Sequence, residues 1–299
     1  MDNSGKLKVA ILGSGNIGTD LLLKALRSEK LETTLFIGRH FDSKGMLIAK
    51  KLGINTSDQG ISSIIDMPEC CNLVFDATSA VDHVRHAAIL KDLGKIAIDL
   101  TPSRVGAMVV PAVGLHYCEN NRNVNMISCG GQASIPIAYL IGKTHHKVHY
   151  VEVVSSIASK SAGPATRINM DEYIETTEAA IRLYSGAVSS KVILILNPAE
   201  PPVNMQTTIS AKVDEPNIEG LQIAMNEMMD RIQAYVPGYE VIVPPVYESN
   251  RIVVMVRVVG LGDYLPSYAG NLDIINCAAI AIAEGYSDLY CNRLIVRDI

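Results

Sequence analysis

The stretch KVAILGSGNIGTDLL, residues 8–22, constrains this chain more than any other. A short apolar run at 6–12 leads into glycines spaced G-x-G-x-x-G at 13–18. An amphipathic run follows at once over 17–28. A strand, a sharp turn and a helix must therefore follow one another with almost no linker. In that context Gly13 permits the tight turn, Gly15 lets backbone approach a pyrophosphate, and Gly18 lets helix and strand pack closely. The helix N-terminus adds free N–H groups and a positive dipole end for phosphates. The pattern predicts a dinucleotide site; the alternative is a glycine turn without a ligand.

Strands and helices then alternate: strands at 33–38, 72–79, 95–101 and 124–128, helices at 43–53 and 81–94. Such alternation implies a parallel, doubly wound sheet of Rossmann type. The style changes near residue 129. Long β-branched runs at 149–159, 191–198, 205–213 and 251–260 imply a largely antiparallel sheet. Amphipathic helices at 171–186 and 218–235 cover one of its faces. The expected fold is α/β: a dinucleotide-binding domain at 1–129 and a second α+β domain, catalytic and dimerising, at 130–270. The apolar helix from 271 towards 299 is expected to pack back on the first domain.

The bulk numbers exclude several classes. The chain has 299 residues, 48% of them apolar and 19% charged, which is enough for two cored domains. A net charge of −5 without basic runs disfavours nucleic-acid or membrane-surface partners. No apolar stretch approaches a membrane span, and the polar N-terminal arm lacks a signal peptide's apolar core, so the expected home is the cytoplasm. The six cysteines form no disulfide framework and no metal-ligand spacing, so no metal is expected. Cys118, Cys277 and Cys291 lie in or beside apolar segments and read as structural. The histidines, His40, His83, His86, His116, His145, His146 and His149, form no clear constellation. His145 and His146 end a helix, where they complement its dipole.

The end of the second strand bears on the cofactor. An Asp or Glu there usually binds ribose hydroxyls in NAD sites. Here stand Gly38, Arg39 and His40. Arg39 meets a 2′-phosphate, which would mean NADP, or is solvated, or stacks on adenine.

In SCGGQASIP, residues 128–136, a thiol precedes two glycines. Cys129 is either a small core residue or a nucleophile. A helix N-terminus can lower a thiol pKa by about one unit. Gly130 and Gly131 leave room for a carbonyl and expose N–H donors for an oxyanion. Pro136 leaves the helix start open: near Gly130 with a proline inside, or at Pro136 itself. Behind a dinucleotide domain, a thiol suggests a thiohemiacetal that loses hydride and leaves a thioester.

The stretches KVAILGSGNIGTDLL, VFDATSA, IDLTP, NVNMISCGGQASIP, SIASKSAGPATRINMDEYIETT, ILNPAEPP, QAYVPGY and YLPSYAGNLDI occur in order along nearly the whole chain. Together they resemble the acylating acetaldehyde dehydrogenases, which convert acetaldehyde, CoA and NAD to acetyl-CoA in bacterial aromatic catabolism. The resemblance implies a glyceraldehyde-3-phosphate dehydrogenase-like architecture, NAD as cofactor and CoA as co-substrate. It also implies a homodimer or larger assembly and a 4-hydroxy-2-oxovalerate aldolase partner. It implies that Ser14, Gly15, Asn16 and Ile17 contact the cofactor phosphates and that Cys129 is the nucleophile. Ser161, Ala162, Gly163, Pro164, Ala165, Thr166, Arg167, Ile168 and Asn169 would border the nicotinamide. Asn271 would reach the cofactor from the last helix. For Arg167 a structural cation is the alternative; for Asn271, a helix N-cap.

Three departures from the family pattern stand out. G-P-G-T-R is GPATR here, with Ala165 narrowing backbone freedom. M-R-D-T is MQTT, so Thr207 stands where the family has an acidic residue, and it cannot act as a base. The segment between VPGY and YLPSYAG is shorter, and such surface segments often carry partner contacts. Two rival readings remain: a phosphorylating semialdehyde dehydrogenase on the same scaffold, and a catalytically impaired nucleotide-binding partner subunit.

Overall fold

The residues that read as strand–turn–helix form β1 (Leu7–Leu12) and α1 (Asn16–Arg27). The computed structural model describes residues 5–114 and 120–295, without the side chains of 164, 165 and 291–295. Cys118 and His116 lie outside the described residues, as do the side chains of Cys291, Pro164 and Ala165. The chain divides into two units. The first draws on residues up to 109, on 114 and 120–126, and on 276–295; the second is 110–113 with 127–275.

Seven strands form the first unit's sheet among the described residues. After β1 come β2 (Leu31–Ile37), α2 (Lys44–Lys51), β3 (Thr56–Ser57) and α3 (Ser62–Asp66). Then follow β4 (Leu73–Asp76), α4 (Ala80–Asp92), β5 (Ile96–Asp99), β6 (Ala107–Met108) and β7 (Asn123–Asn125). The order is β3-β2-β1-β4-β5-β7-β6 and every pairing is parallel. The chain winds outward from β1 through β3, then returns to place β4 on the other side of β1. The carboxyl ends of β1 and β4 thus flank the topological switch point, where ligands bind in such sheets. Buried Ala10, Leu12, Leu35, Ile37, Val74 and Ala97 pack with Ile64 and Leu90. Each fully buried Leu or Ile here contributes about 1.5–3 kcal/mol.

The second unit contains α5 (Cys129–Thr144), β8 (Val148–Ala158), α6 (Pro164–Ile168), α7 (Met170–Ser185) and β9 (Ser189–Asn197). It continues through β10 (Met205–Val213), α8 (Ile218–Gln233), β11 (Tyr239–Glu248) and β12 (Arg251–Val258). The start of α9 (Gly270–Ile295) completes it. Its sheet order is β11-β12-β10-β8-β9. All pairs are antiparallel except β8–β9, which α7 links in parallel. Burial alternates along β10 and β12. Val151, Val153, Ile209, Ala211, Val254 and Val256 are buried on the face that α5, α7 and α8 cover. The opposite face carries a row from Ile193 through Val154, Thr208 and Met255 to Val243, all half-buried or exposed.

Helix α5 resolves the proline question. It begins at Cys129 and runs through Pro136. Ser128 is its N-cap, accepting from the Gly131 N–H at 2.9 Å. At the other end His145 follows the last turn: its Nδ1 lies 2.9 Å from the Ile141 carbonyl and its Nε2 lies 3.0 Å from the Asn217 N–H. Asn271 is not an N-cap, because α9 already begins at Gly270.

Candidate active site

The glycine turn has the shape its spacing implies. Gly13 has φ +123°, and a Cβ there would lie 2.5 Å from the Ala77 carbonyl oxygen, so only glycine fits. A Cβ on Gly18 would overlap the Gly13 carbonyl. A Cβ on Gly15 would meet nothing within 4 Å. The turn is therefore packed shut at Gly13 and Gly18 and open at Gly15, where a pyrophosphate needs room. Gly15 is also the N-cap of α1, with no side-chain cap and no acidic residue in the first turn. The amides at the head of α1 are left to a ligand, and these residues fit a dinucleotide. Ser14 Oγ lies 3.3 Å from Ser43 Oγ, and Thr19 Oγ1 donates to the Gly15 carbonyl at 2.8 Å, bracing the turn. Arg39 follows β2 and is exposed.

In the second unit, the Cys129 thiol sits at the first position of α5. The backbone N–H groups of Cys129 and Gly130 both act on its sulfur. Its Sγ lies 3.9 Å from the Tyr173 hydroxyl. Residue 129 keeps partial exposure, yet the surrounding protein dominates: burial pushes the thiol up to about 11. The direction is opposite to the one expected from the helix dipole alone. Dense packing outweighs the dipole and the nearby donors, so the resting sulfur is a thiol.

Around it lies a cluster of hydroxyls. Ser155 and Ser128 hydrogen-bond the Tyr173 hydroxyl. Ser155 Oγ lies 3.0 Å from Thr207 Oγ1, and Ser128 Oγ lies 2.6 Å from Thr177 Oγ1. Burial and the neighbouring thiol raise the Tyr173 hydroxyl well above its ordinary range. Gly130 makes this approach feasible: a Cβ there would collide with the Tyr173 hydroxyl and stand 3.0 Å from Ser155 Oγ.

The loop before α7 is held by its own arginine. Arg167 Nε donates to the Ala162 carbonyl at 3.1 Å, and its Nη2 donates to the Ser159 carbonyl at 3.0 Å and to Ser159 Oγ at 2.9 Å. These bonds tie Arg167 to the backbone of the 159–167 loop. Ser161 Oγ donates to the Ala158 carbonyl at 2.8 Å. Gly163 borders open space, while Thr166 and Asn169 are half-buried and Ile168 is exposed. Asn271 is 1% exposed, and its Oδ1 has no hydrogen-bond partner among the described residues.

The histidines require a correction. His83 and His86 do form a constellation: each places Nδ1 2.8 Å from Asp76 Oδ2, in the buried interior of the first unit. His83 Nε2 lies 3.6 Å from Asp99 Oδ2. Asp76 and Asp99 are paired neighbours at the carboxyl ends of β4 and β5. The two imidazoles and the Thr78 hydroxyl hold the Asp76 carboxyl well below its usual range, and the carboxylates raise His83 despite its burial. Burial raises Asp99.

Comparison with known proteins places these features in a family. Residues 129–266 match the family described as prokaryotic acetaldehyde dehydrogenase, dimerisation. The chain is similar to an acetaldehyde dehydrogenase of Pectobacterium atrosepticum, 56% identical over 95% of this chain and 97% of the relative. It is 58% identical to an acetaldehyde dehydrogenase of Spirochaeta aurantia, covering 94% of this chain and 95% of that one. In fold it is similar to the crystal structure of aspartate semialdehyde dehydrogenase with NADP from Candida albicans. There the TM-score is 0.68 and the identity 11%, over 96% of this chain and 99% of that one. Among the described residues, no helix is long and apolar enough to cross a membrane.

Proposed function

Given that the chain belongs to the acetaldehyde dehydrogenase family, we propose that it oxidises a short aldehyde, acetaldehyde or propanal, with CoA and NAD to the acyl-CoA. Cys129 at the head of α5, with two backbone amides on its sulfur and a hydroxyl beside it, is the observation that carries this reading. The sulfur adds to the aldehyde carbon, and N–H groups at the helix head stabilise the charge that develops on oxygen. When bound, the nicotinamide accepts the hydride. The hydroxyl proton of the adduct is released and a thioester remains on Cys129. The thiol of CoA then attacks that thioester and frees the acyl-CoA and the cysteine.

The cofactor's phosphates are assigned to the amides at the open face of Gly15, with Ser14, Asn16 and Ile17 around them. We read the cofactor as NAD, as the family resemblance implies; Arg39 is the residue that would admit a 2′-phosphate. Asn271 and the 161–169 loop are assigned to the nicotinamide end. For dimerisation we propose the uncovered face of the second sheet, because the matched dimerisation region contains all five of its strands. A 4-hydroxy-2-oxovalerate aldolase is the source of aldehyde in this reading, tested by co-purification of the two chains.

One assay tests the reaction. Purified protein is given acetaldehyde or propanal with CoA, with phosphate, or with neither, using NAD and NADP in turn. Turnover that requires CoA and NAD is expected. Cys129→Ala should keep dinucleotide binding and lose turnover; normal activity in that variant would refute the assignment. Phosphate replacing CoA would favour a phosphorylating enzyme, and binding without turnover a partner subunit.

A further inference from the structure

Among the described residues of the second unit, no charged group hydrogen-bonds the resting thiol. Its hydrogen-bonding surroundings within the second unit are the amides of Cys129 and Gly130 and the Tyr173 hydroxyl, none of them charged. Tyr173 in turn meets Cys129, Ser155 and Ser128. Thr207, on β10, meets Ser155. A carboxylate at position 207 could have accepted a proton through this chain of contacts, but a threonine cannot hold one.

Resting on the reading of Cys129 as nucleophile, we propose that Tyr173 is a catalytic residue that shuttles the thiol proton to the substrate oxygen during addition. The sulfur lone pair forms the S–C bond as the carbonyl π bond opens. The S–H proton passes to the Tyr173 oxygen while the Tyr173 proton passes to the former carbonyl oxygen. Tyrosine ends as it began, the thiohemiacetal forms neutral, and no separate base is needed. A phenolic hydroxyl can do this because it both accepts and donates. The pairs Ser155–Thr207 and Ser128–Thr177 are positioning residues that fix the rotation of that hydroxyl from two sides. The bare Cα of Gly130 is what lets the oxygen stand beside the reacting sulfur.

The test is the pH dependence of kcat/KM for acetaldehyde in wild type, Cys129→Ala, Tyr173→Phe and Thr207→Val. Wild type is expected to be nearly flat between pH 6.5 and 8.5. Tyr173→Phe should fall about 100-fold at neutral pH, within the usual range for a lost proton donor and acceptor. Its remaining rate should climb roughly tenfold per pH unit, because attack then waits for thiolate. Dinucleotide affinity and melting temperature report on the fold of each variant. Should Tyr173→Phe melt early, Thr207→Val decides, and it must show the same slope in weaker form. Wild-type turnover and an inert Cys129→Ala, together with an unchanged profile in the deciding variant, overturn the shuttle alone. Full activity of Cys129→Ala overturns the nucleophile itself.

Discussion

Ser155 on β8 and Thr207 on β10 stand directly opposite each other, their hydroxyl oxygens 3.0 Å apart, with Val153 and Ile157 beside one and Met205 and Ile209 beside the other on the same face. Thr207 is 1% exposed. Thr207→Val keeps the shape and leaves a buried partner one bond short, at a cost of about 1–3 kcal/mol. Thr207→Ser keeps the hydroxyl and should cost about 1 kcal/mol or less. Urea unfolding of the two variants checks the difference.

Gly15 and Gly18 should respond oppositely to the same methyl group. Gly15→Ala meets open space with an ordinary negative φ, so the melting temperature should not change. Its affinity for NAD should fall at least about tenfold, because the methyl occupies the phosphate approach. Gly18→Ala drives a carbon into the Gly13 carbonyl and should lower stability by about 2 kcal/mol or more. Unchanged NAD binding in Gly15→Ala would remove the turn from the cofactor site.

Two thiols should label in an order unlike their assigned roles. Cys70 is lowered to about 7, chiefly by its hydrogen bond to Cys71 and helped by Lys95, whereas burial raises Cys129 to about 11. With iodoacetamide at pH 7.5, mass spectrometry should find Cys70 modified first and activity largely retained. Inactivation should follow the slower labelling of Cys129. Loss of activity in step with Cys70 would contradict this order.

The buried Asp76–His83 pair gives stability a pH window. His83 is raised above its ordinary 6.5, so its contribution is full below that value and fades as pH rises through the folded value. Asp76 is lowered below its ordinary 3.8, so its contribution is present above that value and lost as pH falls further. Both act together between about 3.8 and 6.5. The stability gap between wild type and His83→Gln should therefore be larger at pH 5.5 than at pH 8.5. Asp76→Asn, which leaves two imidazoles without their carboxylate, should cost about 3–5 kcal/mol. Guanidinium unfolding at the two pH values measures both.

Ile193 lies on the uncovered sheet face, 39% exposed, beside Val154. If that face joins two copies, Ile193→Lys should shift the protein towards monomer in light scattering while circular dichroism stays the same. An unchanged mass would place the dimer contact elsewhere.

What was legible in the sequence depended on how local each cause was. The glycine turn announced itself because the strand, turn and helix are contiguous. β11 did not, because Pro244 and Pro245 interrupt its apolar run; as an edge strand it tolerates them, with its register slipping between Val243 and Val246. β3 and β6 are two residues each, too short for any period to show. The hydroxyl cluster left only a faint trace, a serine among valines on β8 and a threonine between Met205 and Ile209 on β10. Those positions could have been marked as polar residues on an inward face. Their meeting with Tyr173 and Cys129 depends on four separate elements. The histidines were missed although Asp76, His83 and His86 share one contiguous strand–turn–helix, because nothing in residue type or period shows that a strand-end carboxylate turns back onto the helix that follows.

Helix α9 returns the polypeptide to the first unit after the whole of the second has been traversed. There Asn276 Nδ2 donates to Asp20 at 2.8 Å, Ser28 Oγ donates to Glu284 at 2.6 Å, and the Tyr286 hydroxyl donates to the Asn121 carbonyl at 2.5 Å. During synthesis the sheet of the first unit emerges first yet must wait for its closing segment. Every residue of the second unit is therefore polymerised before the segment from 276, which closes the first unit, has been made.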